Sequence, residues 1–501
     1  MTYFVTGATG FIGRYLVQSL LQKGKGTIYV LVRPKSIGKL DELREFWGKD
    51  SLKRVVPIKG DLGLPKLGVA RGDLTKLKGK VKHFYHLGAV YDIEASAEAM
   101  EKANITGTRG ALEFAEAVNA GCFHLVSSIA AAGLYRGTFS EDMFEEAEEL
   151  DHPYHRTKHD SEAMVRANGR IPFRVYRPGA VLGHSQTGFI DKIDGPYYFF
   201  KALQKLRESW PRSIPLVGIE GGYINVVPVD FVVDALVHLS HQPKLDGRCF
   251  HLTDPKARRV GEVLNVFARA AHAPEMAFRL DPKVFAMVPE PVTQSVQRSK
   301  PIQNVFNQLL RDLQVPRSVL QFVNYPTRFD STATQKILDK AKIRVPALED
   351  YAWRLWDYWE RHLDPDLSID RSLRGAVKGK VVMITGGSSG IGEAAAIRIA
   401  EAGGKVIVVA RDEEKLAEVR KKITDAGGFV KTYSCDITEY AANDKLAKDV
   451  LKEFGHVDVL INNAGRSIRR SLALSYDRFH DFERTMQLNY FACVRLTMNL
   501  L

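Results

Sequence analysis

Tyr154 and Lys158 stand four residues apart in Tyr154-His155-Arg156-Thr157-Lys158, a Y-x-x-x-K pattern. On a helix, positions i and i+4 share a face, so the pattern sets an ammonium beside a phenol. A positive charge there favours tyrosinate and draws down the phenol's ordinary pKa of about 10, making Tyr154 a usable general acid. Alone, the pattern also describes a solvated pair on a helix surface. Upstream, Phe123-His124-Leu125-Val126-Ser127-Ser128 reads as a buried strand delivering a hydroxyl at its C-terminal end. Ser128 can donate a hydrogen bond to a substrate carbonyl oxygen, where negative charge builds as hydride arrives. Ser127 is the weaker candidate by motif register.

The elements that must position these groups are legible around them. A β-type run, a glycine turn and an amphipathic helix follow one another twice: through Gly7, Thr9, Gly10, Phe11, Ile12 and Gly13, and again through Gly386, Ser388, Ser389, Gly390, Ile391 and Gly392. Such glycines let backbone N–H groups approach a pyrophosphate at a helix N-terminus. Arg33 stands 20 residues beyond Gly13, and Arg411 stands 19 beyond Gly392. An acid at that place would bond a ribose 2′-OH, whereas an arginine accommodates a 2′-phosphate, so both sites favour NADPH. Further β-type runs at Ile28–Val32, Val55–Ile58, His83–Leu87, Phe123–Val126 and Phe173–Tyr176 alternate with helical stretches. That alternation predicts an α/β fold, a doubly wound parallel Rossmann-type sheet.

The glycine spacings, G-x-x-G-x-x-G and G-x-x-x-G-x-G, resemble the extended and single-domain branches of the short-chain dehydrogenase/reductases. The resemblance assigns Ser128, Tyr154 and Lys158 as the catalytic set, with Asn104 linked to a proton-relay water. It also places Asp61 and Leu62 at the adenine, and Pro178 and Gly179 flanking the nicotinamide. In the second copy it assigns Asp436, Ile437, Asn463, Ala464 and Gly465 to the cofactor. These elements follow in family order across about 180 residues of the first copy.

The expected domains are 1–365, with a helical substrate cap at 186–227 and 254–350, a linker at 366–378, and a second unit at 379–501. The second unit reaches Asn489 and stops 12 residues later, before any serine strand or Y-x-x-x-K. It reads as the N-terminal half of such a domain, which as given cannot catalyse. The aromatic helix around Tyr351, Trp353, Trp356 and Trp359 is expected to pack between domains.

Tandem units of this kind resemble the bacterial alcohol-forming fatty acyl-CoA reductases. That implies two NADPH-dependent steps, thioester to aldehyde in the C-terminal domain and aldehyde to primary alcohol in the N-terminal one. The implied partners are acyl-CoA or acyl-carrier-protein thioesters and fatty aldehydes, with peripheral membrane contact allowed and a homo-oligomer expected. The apolar residues Phe278, Val284, Phe285, Met287, Val288, Phe306, Leu309, Leu310, Leu320 and Phe322 either line an acyl-chain site or form ordinary cap core. Sugar-nucleotide or small-carbonyl reduction is the rival enzymatic reading. A non-catalytic NADP(H) sensor is the rival of another class, though such sensors usually lack the serine and the Y-x-x-x-K.

Other chemistries fare worse. The four cysteines lie far apart with no C-x-x-C pair, against a disulfide framework or zinc site. Cys122 precedes a buried strand, which disfavours a covalent thioester route. His83 and His86 read as core or cofactor-wall residues, and no metal is expected. The formal charge of +12 comes from basic residues interleaved with acids, which describes a solvated surface better than a nucleic-acid face. The most apolar stretch, Ile224 to Leu239, is broken by Pro228, Asp230 and Asp234, so no spanning helix is expected. With Tyr3-Phe4-Val5 running straight into the Gly7 turn, a targeting segment is not expected and a cytoplasmic location is.

Overall fold

The computed structural model describes residues 1–89, 96–191, 193–210, 216–280, 325–368, 370, 372–471, 474 and 476–501. The chain divides into two compact units, Met1–Asp364 and Pro365–Leu501.

The first unit is built on seven parallel strands: β1 (Thr2–Thr6), β2 (Thr27–Val32), β3 (Val55–Lys59), β4 (His83–His86), β5 (Cys122–Val126), β6 (Phe173–Pro178) and β7 (Cys249–Leu252). Their order is β7-β6-β5-β4-β1-β2-β3. Strands covered on both faces read as continuous apolar runs, and β5, Cys-Phe-His-Leu-Val, is buried at every position. Alternate side chains feed two cores. Tyr3 and Val5 join Val30, Tyr85 and Val126 under the helices Phe11–Lys23 and Val229–His241. Phe4 joins Phe84, Phe123 and Val175 under the helix Gly107–Ala117. Register puts Phe4 beside Phe84 and Phe84 beside Phe123. Their rings stack at 5.0 and 5.1 Å, a ladder worth about 0.5–1.5 kcal/mol per pair beyond area burial. This ladder fixes the relative heights of β1, β4 and β5, whose C-terminal ends carry the site.

The strand order reverses between β1 and β4, so a crevice opens there beyond the strand ends, where ligands bind in such sheets. A cap covers it. The helices Phe200–Ser209, Val260–Ala270 and Leu348–His362 share one core through Phe200, Phe267, Trp356 and Trp359. The aromatic helix therefore buries Tyr351, Trp356 and Trp359 inside the first unit's own cap, while Trp353 points outward. The packing between domains expected for that helix gives way to this cap core, because the cap needs an apolar layer of its own.

The second unit has four parallel strands: β8 (Val381–Thr385), β9 (Lys405–Ala410), β10 (Phe429–Ser434) and β11 (Val459–Ile461), in the order β10-β9-β8-β11. Within the stretch 366–378 a short helix, Leu373–Val377, sends Val377 into the core of this unit beside Val382 and Ala400.

Candidate active site

Gly7 ends β1 with φ +72°, and a Cβ on it would meet the Gly88 nitrogen at 2.8 Å. A Cβ on Gly13 would meet the Gly7 carbonyl oxygen at 2.1 Å. Only glycine lets the turn close so tightly on the helix. That helix starts after Gly10, which supplies no side-chain cap, so its first N–H groups face the cleft without a side-chain acceptor. A glycine-walled cradle at an uncapped, electropositive helix end fits a pyrophosphate.

Other predicted cofactor residues surround this turn. Thr9 lies within it, and Arg33 is exposed just past β2. Asp61 holds the loop after β3 by accepting from the Gly63 N–H at 2.8 Å. Leu62 packs so closely on Gly88 that a Cβ there would meet its Cδ1 at 2.5 Å. Beneath them His86 bridges Thr6 Oγ1 at 2.8 Å and Thr108 Oγ1 at 3.1 Å. Burial, with Lys158 adding to it, pushes the His86 pKa down to about 3, so the ring is neutral wall.

Ser128 follows β5 and caps the turn Ile129–Ala132, accepting from the Ala130 N–H at 3.2 Å. Tyr154 begins the helix Pro153–Ala167 at its second position, with Pro153 at the first, where a missing N–H costs nothing. Ser128 and Tyr154 line the same cavity. Burial raises the Tyr154 pKa above its ordinary value; Ser128 lowers it in part, and Asp194 and Tyr325 raise it further. Lys158 is not among the groups that shift it, so the expected lowering is absent, and burial draws the Lys158 ammonium itself down to about 8. The phenol is therefore held protonated, as a proton donor must be. No protein acceptor takes the Lys158 ammonium among the described residues, although the side chain is buried and lines the cavity. That orphaned cation at the cradle is a second feature that fits a nucleotide, through its ribose hydroxyls.

Asn104 sits in a π-helical turn, Glu101–Thr106. Its side chain donates to Thr157 Oγ1 at 3.1 Å, and its carbonyl accepts from Thr108 Oγ1 at 2.6 Å and Ser161 Oγ at 2.9 Å. It thus grips the helix between Tyr154 and Lys158. Pro178 and Gly179 close the opposite side, where a Cβ on Gly179 would meet the Asn225 carbonyl oxygen at 2.7 Å.

One cavity of about 600 Å³ gathers Gly7, Gly10 to Gly13, Ser128, Tyr154, Lys158, Pro178 and Gly179. Thr9, Arg33, Asp61, Leu62 and Asn104 lie outside its wall. The cavity also takes residues that sequence reasoning missed: Asp194, Tyr223, Asn225 and Tyr325. Asn225 and Asp254 exchange backbone–side-chain bonds at 2.8 and 2.9 Å, and only the polar Asn225 inside an apolar run hinted at this. Of the residues expected for an acyl site, Phe278 is exposed, and Val284, Phe285, Met287, Val288, Phe306, Leu309, Leu310, Leu320 and Phe322 lie outside the described residues.

The second unit repeats the cradle. Gly386 has φ +64° and Gly390 +58°, and a Cβ on Gly392 would meet the Gly386 carbonyl oxygen at 2.5 Å. Ser388 and Ser389 lead into the helix Gly390–Glu401, which has no side-chain cap, and Ile391 is exposed. Asn463 donates to the carbonyls of Thr385 at 3.0 Å and Gly386 at 2.9 Å, with Ala464 and Gly465 following. Arg411 pairs with Asp436 at 3.3 Å, and Ile437 is buried behind it. Asn489, like Asn104, lies in a π-helical turn, Gln487–Ala492. No cluster of three His, Cys, Asp or Glu among the described residues could hold a metal. No helix among them is long and apolar enough to cross a membrane.

Two family models match, a male sterility protein model over residues 5–236 and a short chain dehydrogenase model over 380–501. The chain carries two short-chain dehydrogenase/reductase domains in tandem. Both are of a nicotinamide-cofactor-binding type. This tandem chain is 55% identical over 133 residues to a fatty acyl-CoA reductase of Acinetobacter baylyi, covering 26% of this chain and 45% of that protein. It is 46% identical over 140 residues to a fatty acyl-CoA reductase of Mycobacterium tuberculosis, covering 28% and 48%. The chain thus spans less than half the length of either relative. A glycine betaine reductase of Emericella nidulans is 26% identical over 97% of this chain and 39% of its own. Among solved structures, the terminal R domain from the myxalamid PKS-NRPS biosynthetic pathway superposes with a TM-score of 0.57 at 25% identity, covering 72% of this chain and 90% of that one.

Proposed function

We propose that this protein is an NADPH-dependent reductase on the route from fatty acyl-CoA to primary fatty alcohol. The first unit reduces the fatty aldehyde, and the second, in the family's full form, reduces the thioester. One observation carries the reading of the first unit: Ser128, Tyr154 and Lys158 line a single cavity with the glycine cradle. The fatty substrate is supported by the two fatty acyl-CoA reductases the chain resembles.

In this reading each residue has a role. Gly7 to Gly13 and the helix N-terminus hold the pyrophosphate, Arg33 the 2′-phosphate, Lys158 the nicotinamide ribose, and Pro178–Gly179 flank the ring. When bound, the nicotinamide supplies the hydride. Ser128 Oγ donates to the substrate carbonyl oxygen and stabilises the charge that develops there. Tyr154 Oη gives that oxygen its proton, and its raised pKa keeps the proton in place until the oxygen becomes basic. The Lys158 ammonium then faces the phenolate left behind.

The test is NADPH oxidation by the full chain with long-chain aldehyde, long-chain acyl-CoA and a UDP-sugar in parallel. Aldehyde turnover with formation of the alcohol is expected. Turnover confined to the UDP-sugar would replace this reading with the sugar-nucleotide one.

A further inference from the structure

We infer that the alkyl chain of the substrate lies between Phe199 and Leu264, and that these two residues set the chain length accepted. The inference rests on the first unit's reading as a fatty-carbonyl reductase. It begins with apolar surface left uncovered. Phe199 and Leu264 are half-buried, both line the catalytic cavity, and neither joins any of the buried apolar clusters among the described residues. Their neighbours behave differently. Phe200 and Val263 are buried in the cap core beside Phe267. Phe200 thus goes to the core, Val263 touches both core and cavity, and Phe199 and Leu264 face the cavity alone.

Local structure explains the division. Val260, Val263 and Leu264 stand at i, i+3 and i+4 of the helix Val260–Ala270, so they share a face, and all three line the cavity. Opposite them, the turn Gly195–Phe199 begins at Asp194, whose carboxylate accepts from the Gly195 N–H at 2.8 Å, and ends at Phe199. Ile190 continues that wall. Polar groups line the cavity too, Ser128, Tyr154 and Lys158 with Asp191, Asp194, Asn225, Asp254 and Arg328, and between them Ile190, Phe199, Val260, Val263 and Leu264 supply apolar wall. A carbonyl held at Tyr154 with an alkyl tail along this wall covers what the fold leaves bare.

The test uses the full chain and two readouts. In the first, a fluorescent fatty acid, cis-parinaric acid, is displaced by saturated primary alcohols from six to eighteen carbons. Affinity should rise roughly three- to fourfold per added methylene until the wall is covered. Leu264→Trp should move the plateau to shorter chains and weaken the sixteen-carbon alcohol by tenfold or more, leaving the six-carbon alcohol within about twofold. Phe199→Ala should move the plateau to longer chains. In the second, KM for aldehydes of the same lengths should follow the same order, with kcat for the shortest little changed. Both positions stand outside the core clusters, and thermal melts check that both variants fold. Equal weakening of every chain length, or no change in either variant, would overturn the chain site. Length-dependent alcohol binding that responds to Leu264→Trp, without NADPH oxidation by any aldehyde, would keep the site and overturn the reductase reading instead.

Discussion

Glu162 and Arg177 meet at 2.6 Å with both side chains fully excluded from solvent. Glu162 lies two turns beyond Tyr154 on the catalytic helix, and Arg177 immediately precedes Pro178 on β6. Arg177 also donates to the Met143 carbonyl at 3.1 Å. Burial alone would raise the Glu162 pKa, but Arg177 and Arg166 overcome it and hold it below the ordinary range. The pair ties the helix that carries Tyr154 to the strand that ends at Pro178.

Removing the Glu162 carboxylate leaves the Arg177 guanidinium buried without its counter-charge, at a cost of about 3–5 kcal/mol. Glu162→Gln should lower the urea midpoint of the first unit accordingly, and Glu162→Leu with Arg177→Met should recover much of the loss. A single variant costing under about 1 kcal/mol would show that the pair does not hold the helix.

Ser128→Ala should lower kcat for aldehyde by about 10²–10³-fold, the range for losing one preorganised donor to a developing oxyanion. Ser127→Ala should change it little. The reverse ranking, read by steady-state kinetics, would move the donor's role to Ser127.

Lys158 sets an alkaline limit. Burial holds its pKa at about 8, so the ammonium is present below that pH and lost above it. The kcat/KM for aldehyde reduction should therefore fall as pH rises through about 8. Arginine stays charged across that range, so a Lys158→Arg protein retaining activity should lose the limb. A wild-type profile flat to pH 10 would contradict the role of the charge.

The first unit should be acid-labile. Burial draws His83 and His155 down to about 4, and His86 and His251 to about 3. In the unfolded chain each takes a proton near pH 6.5, whereas in the folded chain each resists until pH 4 or below. Stability is thus full above about pH 6.5 and falls as pH drops towards 4, by about 1.4 kcal/mol per unit for each histidine. Melting temperatures measured from pH 8 to 4.5 should be level above pH 7 and fall steeply below 6. A level curve down to pH 5 would mean that these rings are not buried neutral.

Much of this was legible in the chain. The parallel sheet announces itself because strands covered on both faces, such as Cys122–Val126, have no polar side to hide. The cradles are legible because only glycine fits where Gly13 meets the Gly7 carbonyl. What escaped depends on burial. Glu162 and Arg177 look like two ordinary surface charges until the helix packs on β6. The Tyr154 pKa moves upward because of desolvation, a property of the folded cavity that the i, i+4 spacing does not show. Phe199 and Leu264 look like any cap residues until the core is seen to take Phe200 and to leave both of them out.

In the proposed reaction Tyr154 donates the proton as NADPH reduces a fatty aldehyde. The most direct measurement is product analysis by gas chromatography after incubating the full chain with hexadecanal and NADPH, in parallel with its Tyr154→Phe variant. NADPH affinity is measured on both proteins. Hexadecanol should form in step with NADPH oxidation in the wild type and fall by at least about 10²–10⁴-fold in the variant, with NADPH still bound. Comparable hexadecanol from both proteins, or none from the wild type, would contradict the account.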